Sequence, residues 1–336
     1  MITHELKKIF EAYEKALKNK KRAVLATVVA LDGSSYRRPG VRMLLLDDGT
    51  MVGAVSGGCV EKEVYRQAST VFERDIPKVM TYDGRYRLGC EGVLYILLEP
   101  FRPSQEVISS FWNVIARRTS FDIHSHFQKE DGENKEYGSV LTFGETGFCF
   151  RESYTIPKGL KMFSQALSPC FRLVLIGAEH DAVQLCAMAA LMGWEVTVVA
   201  NPREEKAQSD FPGCTDFIAS EPESFILETD HQTAILLMTH SYVKDLQFLI
   251  TLKEQQPAYF GILGPLRRRE KLFDELLEKC PDISLEFIES IYGPAGLELG
   301  AETPQEIALS VLSEIVATVN QKNPTPLREK EGRIHS

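Results

Sequence analysis

Leu6, Ile9, Phe10, Tyr13, Ala16 and Leu17 recur at the spacing of one helix face, with Lys and Glu between them, so the chain opens on a predicted amphipathic helix that covers a core. The period then shortens. Residues 23–31 and 41–46 are β-rich runs parted by the polar stretch 32–40, and 51–55 follow the turn Asp47-Asp48-Gly49-Thr50, which together predict a β-meander. Helical spacing returns over 60–73, a further strand is expected at 93–98, and Gly144-Glu145-Thr146-Gly147 between 140–143 and 148–150 predicts a hairpin. Residues 124–135 read as polar loop, and 156–169, with two prolines and a glycine, as a linker carrying a short helix.

From Phe171 the pattern becomes an alternation of apolar runs and amphipathic segments, the signature of a parallel sheet with crossover helices. Strands are predicted at 172–176, 195–200, 216–219, 234–238, 258–262 and 285–288, and helices at 182–191, 242–252, 268–279 and 304–319. The expected fold is therefore α/β: a C-terminal Rossmann-like, doubly wound parallel sheet with an N-terminal α+β domain. The expected boundaries are 1–165 for the first domain with its hairpin and linker, 166–320 for the second, and 321–336 for a polar tail.

Composition narrows the function classes. With 44% hydrophobic and 25% charged residues over 336 positions, the chain is globular in character, and 38 Lys+Arg against 47 Asp+Glu argue against broad electrostatic capture of nucleic acid or an anionic membrane. The charged N-terminus has no signal-peptide core, and no run reaches about 18 apolar residues, so a cytoplasmic protein is expected. The seven cysteines are scattered singly without a CxxC pair, which fits reduced thiols rather than a disulfide framework or zinc ribbon.

Two kinds of site stand out. Ser56-Gly57-Gly58-Cys59-Val60-Glu61 sets a thiol behind two glycines at a predicted helix start, where unpaired amides and the helix dipole favour thiolate, so Cys59 is the candidate reactive sulfur. Cys90, in Leu88-Gly89-Cys90-Glu91-Gly92, sits in a second glycine-flanked turn. Should the two turns meet, they offer two soft ligands to a metal such as molybdenum, or a nucleophile and a resolving thiol; otherwise they are small residues in tight backbone. A thiol-based redox sensor is thus one reading.

The other kind lies at the carboxyl ends of the predicted parallel strands. Gly177-Ala178-Glu179-His180-Asp181-Ala182 occupies the place of a G-x-G-x-x-G/A dinucleotide turn, but Glu179 replaces its second glycine and 198–201 offers no acidic ribose partner. NAD(P) is therefore doubtful as a cofactor, and an NAD(P)-dependent oxidoreductase is held as an alternative. His180 and His240 are candidate acid–base groups or ligands, set against a structural hydrogen-bonding role. Arg267, Arg268 and Arg269 at a helix start invite an anion, or else form a solvated edge paired with Glu270 and Asp274.

Residues 34–39, Gly40-Val41-Arg42-Met43-Leu44, Gly53-Ala54-Val55-Ser56-Gly57-Gly58-Cys59-Val60-Glu61 and Gly89-Cys90 resemble the N-terminal domain of the xanthine dehydrogenase accessory proteins, the XdhC/CoxI family. The turn at 177–182, Gly193 to Val199, Met238-Thr239-His240, Tyr259 to Gly264 and the long motif from Gly293 to Ala308 resemble its Rossmann domain. The resemblance implies an accessory chaperone that binds the molybdenum cofactor (molybdopterin), supports its sulfuration by a cysteine desulfurase, and hands it to xanthine dehydrogenase or a related molybdenum hydroxylase, with no turnover of its own. No nucleic-acid or membrane partner is expected, and a homodimer is an open alternative to a monomer. The residues that would hold such a cargo are Ser56, Gly57, Gly58, Cys59, Cys90, Arg37, Arg38, Gly177, His180, His240, Arg267 and Arg268, with Cys59 and Cys90 as candidate metal ligands.

Overall fold

The computed structural model describes residues 3–33, 35, 38–56, 58, 60–86, 92–151, 154–155 and 158–330. Its contacts divide the chain into two units, Met1–Pro169 and Cys170–Ser336.

The first unit runs α1 (Thr3–Lys18), β1 (Ala23–Asp32), β2 (Arg42–Leu46), β3 (Met51–Gly53), α2 (Glu61–Arg74), β4 (Lys78–Asp83), β5 (Val93–Pro100), α3 (Gln105–Ala116), β6 (Phe121–Phe127), β7 (Gly132–Glu133), β8 (Gly138–Phe143), β9 (Thr146–Cys149) and β10 (Lys161–Leu167). Six strands form one antiparallel sheet in the order β3-β2-β1-β5-β4-β7, and four form a second in the order β10-β6-β8-β9. β1 is central in the larger sheet, so both of its faces are apolar. Val24, Ala26 and Val28 meet α2 through Val64, Ala68 and Val71. Leu25, on the opposite face, joins a cluster with α1, α3 and the smaller sheet in which the Phe10 and Phe111 rings stack at 3.9 Å. Each such aromatic or aliphatic side chain contributes roughly 1.5–3 kcal/mol by leaving water.

The meander, the helix over 61–74 and the 140s hairpin follow the hydrophobic pattern, but within the expected loop 124–135 and linker 156–169 the described residues 124–127, 132–133 and 161–167 are strand. β6 begins at Phe121 and buries Phe121, Ile123, Ser125 and Phe127 on one side, so its polar residues include alternate positions of a real strand. β10 pairs with β6 along Lys161–Leu167. As an edge strand it exposes most of its side chains, which explains its polar, linker-like composition. α3 and β4 are not among the elements predicted from the sequence; α3 starts at Ser104, whose hydroxyl accepts the Val107 N–H.

The second unit runs β11 (Arg172–Ile176), α4 (His180–Leu191), β12 (Glu195–Ala200), β13 (Cys214–Ala219), β14 (Thr233–Leu237), α5 (Tyr242–Leu252), β15 (Tyr259–Ile262), α6 (Leu266–Lys279), α7 (Leu285–Glu289), β16 (Ile291–Tyr292) and α8 (Pro304–Val319). Its six strands are all parallel, in the order β13-β12-β11-β14-β15-β16, the strand order of a doubly wound Rossmann sheet. Leu173, Leu175, Val196 and Val198 pack under α4 and α8, while Val174, Ile176, Ile235 and Leu237 pack under α5 and α6. Both faces are thus covered, which is why these strands read as continuous apolar runs. The strand expected at 285–288 is instead α7, in which Phe287 is buried while Leu285 stays exposed; the sixth strand is the two-residue β16 that follows it. α8 starts at a capping box, Thr303 Oγ1 accepting the Glu306 N–H and Glu306 accepting the Thr303 N–H, with Pro304 in the first turn. No helix among the described residues is long and apolar enough to cross a membrane.

Candidate functional site

In the first unit the strand register decides where the singled-out loops leave the fold. Asp32, the last residue of β1, pairs with Val93, the first of β5; Arg42, which opens β2, pairs with Thr27; and Gly53, which ends β3, pairs with Met43. The connections 33–41, 54–60 and 84–92 therefore all depart from one end of the larger sheet. Those are the loops carrying Arg37 and Arg38, Ser56 to Cys59, and Cys90. Sequence order separates them; antiparallel pairing gathers their anchors. The neck of the third loop is closed by the Gly84 N–H bonded to the Gly92 carbonyl at 3.0 Å. The base of the first is held from below by Arg42, fully buried, which donates to the Gly40 carbonyl at 2.9 Å and to Gln165 Oε1 at 2.6 Å. Burial pulls the Arg42 guanidinium down to about 10, against the opposing charge of Glu99.

The second loop is organised by a residue whose role the sequence alone did not reveal. Glu61, the first residue of α2, is buried, and its carboxylate accepts the Ser56 N–H at 2.8 Å, the Ser56 hydroxyl at 2.9 and 3.0 Å, and the Val60 N–H at 3.2 Å. Ser56 Oγ in turn accepts the Gly58 N–H at 3.2 Å. Burial alone would raise the Glu61 pKa, but the hydrogen bonds from its own backbone, from the Ser56 side chain and backbone and from Val60 together hold it below the usual glutamate value. Ser56 is thus occupied in shaping the turn. Gly58 has a φ of +115, and among the described residues a Cβ built there meets nothing within 4 Å, so its backbone is open to a ligand on that side. Arg38 is exposed. Arg37, Gly57, Cys59 and Cys90 lie outside the described residues. Among the described residues no three His, Cys, Asp or Glu side chains gather as a metal site.

In the second unit a crevice opens at the carboxyl ends of β11, β12 and β14, lined by Gly177, Glu179, Asn201, Glu204, Thr239 and Lys244 among others. This is the switch point of the sheet, where open α/β folds place ligands. Gly177 turns the chain with φ +130, and a Cβ there would lie 2.4 Å from the Met238 carbonyl oxygen, so only glycine fits. His180 is the first residue of α4, and His240 adopts a left-handed φ of 56 after Thr239; both are exposed.

The arginine run is divided among three roles. Arg268 Nη2 pairs with Asp245 Oδ2 at 2.6 Å, and the other oxygen of that buried carboxylate accepts the Thr239 hydroxyl at 2.5 Å and the Thr239 N–H at 3.2 Å. Arg269 lies over the Phe273 ring at 4.4 Å. Arg267 is exposed at the helix start. The expectation that Glu270 and Asp274 would pair with this run fails for Arg268, because a neighbouring helix brings up a carboxylate that is itself out of water. Asp245 gave no signal of this in the sequence, where it is one acidic residue in the first turn of an amphipathic helix.

Cys149, Cys170, Cys186, Cys214 and Cys280 are free thiols. Burial pushes Cys186 up to about 12, and its Sγ donates to the Pro212 carbonyl at 3.4 Å, the behaviour of a packed, inert residue.

Comparison with known proteins agrees with this architecture. Residues 16–83 match the model of the XdhC and CoxI family, and residues 173–315 match that of the XdhC Rossmann domain. The chain is 30% identical over 323 residues to a probable xanthine dehydrogenase subunit of Bacillus subtilis, covering 90% of this chain and 94% of that one. It is 25% identical over 321 residues to the molybdenum cofactor insertion chaperone PaoD of Escherichia coli, covering 94% and 89%. The crystal structure of a xanthine dehydrogenase from Bacillus halodurans superposes with a TM-score of 0.76 at 25% identity, covering 95% of this chain and 98% of that one. An N-terminal α+β unit with these loop anchors, joined to a parallel Rossmann sheet and similar to these proteins along nearly its whole length, places the chain in the XdhC/CoxI family.

Proposed function

We propose that this protein is an accessory chaperone that binds the molybdenum cofactor, supports its sulfuration by a cysteine desulfurase, and delivers it in the cytoplasm to xanthine dehydrogenase or a related molybdenum hydroxylase. The observation that carries the reading is the similarity to the insertion chaperone PaoD over 94% of the chain, taken with the convergence of the three loop anchors at one end of the N-terminal sheet. In this reading the cargo lies over that end. Cys59 and Cys90 supply soft sulfur to the molybdenum, the backbone at Gly57 and Gly58 lets the pterin approach closely, and Arg37 and Arg38 meet its phosphate. Glu61 and Arg42 hold the loops from beneath and touch no cargo. None of these groups needs to turn anything over.

The test is retention. Purified protein mixed anaerobically with molybdenum cofactor and passed through gel filtration should carry pterin fluorescence and molybdenum in the protein peak. Replacement Cys59→Ser should weaken that retention by about tenfold or more, the loss of one good ligand. Absence of pterin from the wild-type peak overturns the reading.

A further inference from the structure

The Rossmann unit keeps most of what a dinucleotide site requires. The strand order places a switch point between β11 and β14. Gly177 makes the tight turn that brings the chain from β11 to α4, and Ala182, at the last small position of the G-x-G-x-x-A pattern, is fully buried against the sheet. What differs is the middle of the turn. Glu179 is the N-cap residue of α4, extended at φ −80 and ψ 179, and its side chain forms no capping hydrogen bond to the helix amides. It is exposed and lines the crevice that Glu204 also lines. In a dinucleotide fold a glycine stands here so that backbone amides and the positive end of the helix reach the pyrophosphate.

The residues present do not fit a nicotinamide dinucleotide. A carboxylate at the N-terminus of α4 places like charge and several atoms of bulk where the diphosphate would lie, and the helix dipole is too weak to compensate a direct anion–anion contact. At the end of β12, Ala200 and Asn201 supply no carboxylate to a ribose, and Asn201 Oδ1 is engaged by the Arg203 N–H at 2.8 Å.

We infer that Glu179 is a specificity-determining residue that closes the crevice of the Rossmann unit to phosphate-bearing nucleotides, the phosphate subsite beneath it remaining otherwise formed. The turn and the buried Ala182 keep the backbone in the shape a phosphate needs; Glu179 is the side chain that occupies the phosphate position at the helix start, while Glu204 and Lys244 line the crevice further along with opposite charges. The inference concerns the second unit and stands or falls independently of what the loops of the first unit hold.

The experiment titrates NADH and inorganic pyrophosphate into the full-length protein by calorimetry, for the wild type, Glu179→Gly and Glu179→Gln. Wild type is expected to show no saturation up to millimolar ligand. Glu179→Gly, which completes the glycine pattern, should bind pyrophosphate at least about tenfold more tightly, a modest free-energy change for removal of one like charge. Glu179→Gln removes the charge and keeps the bulk, so it should gain less than the glycine variant but more than none. It also decides the matter if Glu179→Gly does not fold, as read by circular dichroism. Saturable submillimolar NADH binding by the wild type overturns the inference, as does pyrophosphate affinity unchanged in a folded variant.

Discussion

Ser56 donates both its backbone N–H, at 2.8 Å, and its hydroxyl, at 2.9 to 3.0 Å, to the carboxylate of Glu61 five residues further on. The acceptor sits in the first turn of α2, where the helix dipole prefers an anion, so that preference is met by the chain's own carboxylate. The Ser56 and Val60 amides both serve Glu61; Cys59, the thiol that the sequence sets at this helix start, lies outside the described residues.

Loss of Glu61 should loosen this turn measurably. Glu61→Ala removes a charged acceptor of several hydrogen bonds and is expected to cost about 2–3 kcal/mol in urea unfolding at neutral pH. The folded pKa lies below the unfolded one, so the stabilisation is fully present above the unfolded glutamate value of about 4.3 and disappears as pH falls through the folded value. Wild type and Glu61→Gln should therefore differ most in unfolding midpoint at neutral pH, and the gap should narrow as pH falls below the unfolded glutamate value; a constant gap would contradict the role of the charge.

Arg268 and Arg267 are neighbours with opposite expectations. Arg268→Ala strands the buried Asp245 carboxylate and should destabilise the second unit by about 3–5 kcal/mol, whereas Arg267→Ala should stay within about 0.5 kcal/mol of wild type. Denaturant melts of the two variants separate these outcomes. Equal effects would mean that the Asp245 pair is not the partner that matters.

Two glycines with positive φ differ in what surrounds them. Gly177→Ala forces a Cβ to 2.4 Å from the Met238 carbonyl and is expected to cost about 3 kcal/mol or more. Gly58→Ala meets nothing within 4 Å among the described residues and should cost only the backbone strain, about 1–2 kcal/mol. Thermal unfolding of both variants gives the ranking, and a reversal would show that the surroundings of Gly177 yield.

Thiol chemistry should follow burial. In native protein at pH 8, iodoacetamide is expected to leave Cys170 and Cys186 unmodified, since both are buried and the Cys186 thiol is pushed up to about 12; both should react once urea unfolds the chain. Peptide mass spectrometry of the alkylated protein reads this directly, and early labelling of Cys186 would contradict it.

The amino-acid pattern alone determined the parallel sheet of the second unit, because strands covered on both faces become unbroken apolar runs and the helices between them keep one apolar stripe. Arg172–Ile176, Glu195–Ala200 and Pro304–Val319 have the bounds that the pattern predicts. It also marked the glycine-rich loops, since the positive φ at Gly58 and Gly177 is a local backbone need, although the close approach of Met238 to Gly177 is tertiary. Partnership across the chain was decided only by folding. The exposed edge strand β10 carries no apolar signal, the short α7 reads like a strand, and the buried carboxylates of Glu61 and Asp245 look like any acidic residues near a helix start. A hydrogen bond or ion pair depends on which atoms arrive at about 3 Å from which direction, and hydrophobic periodicity contains no such information.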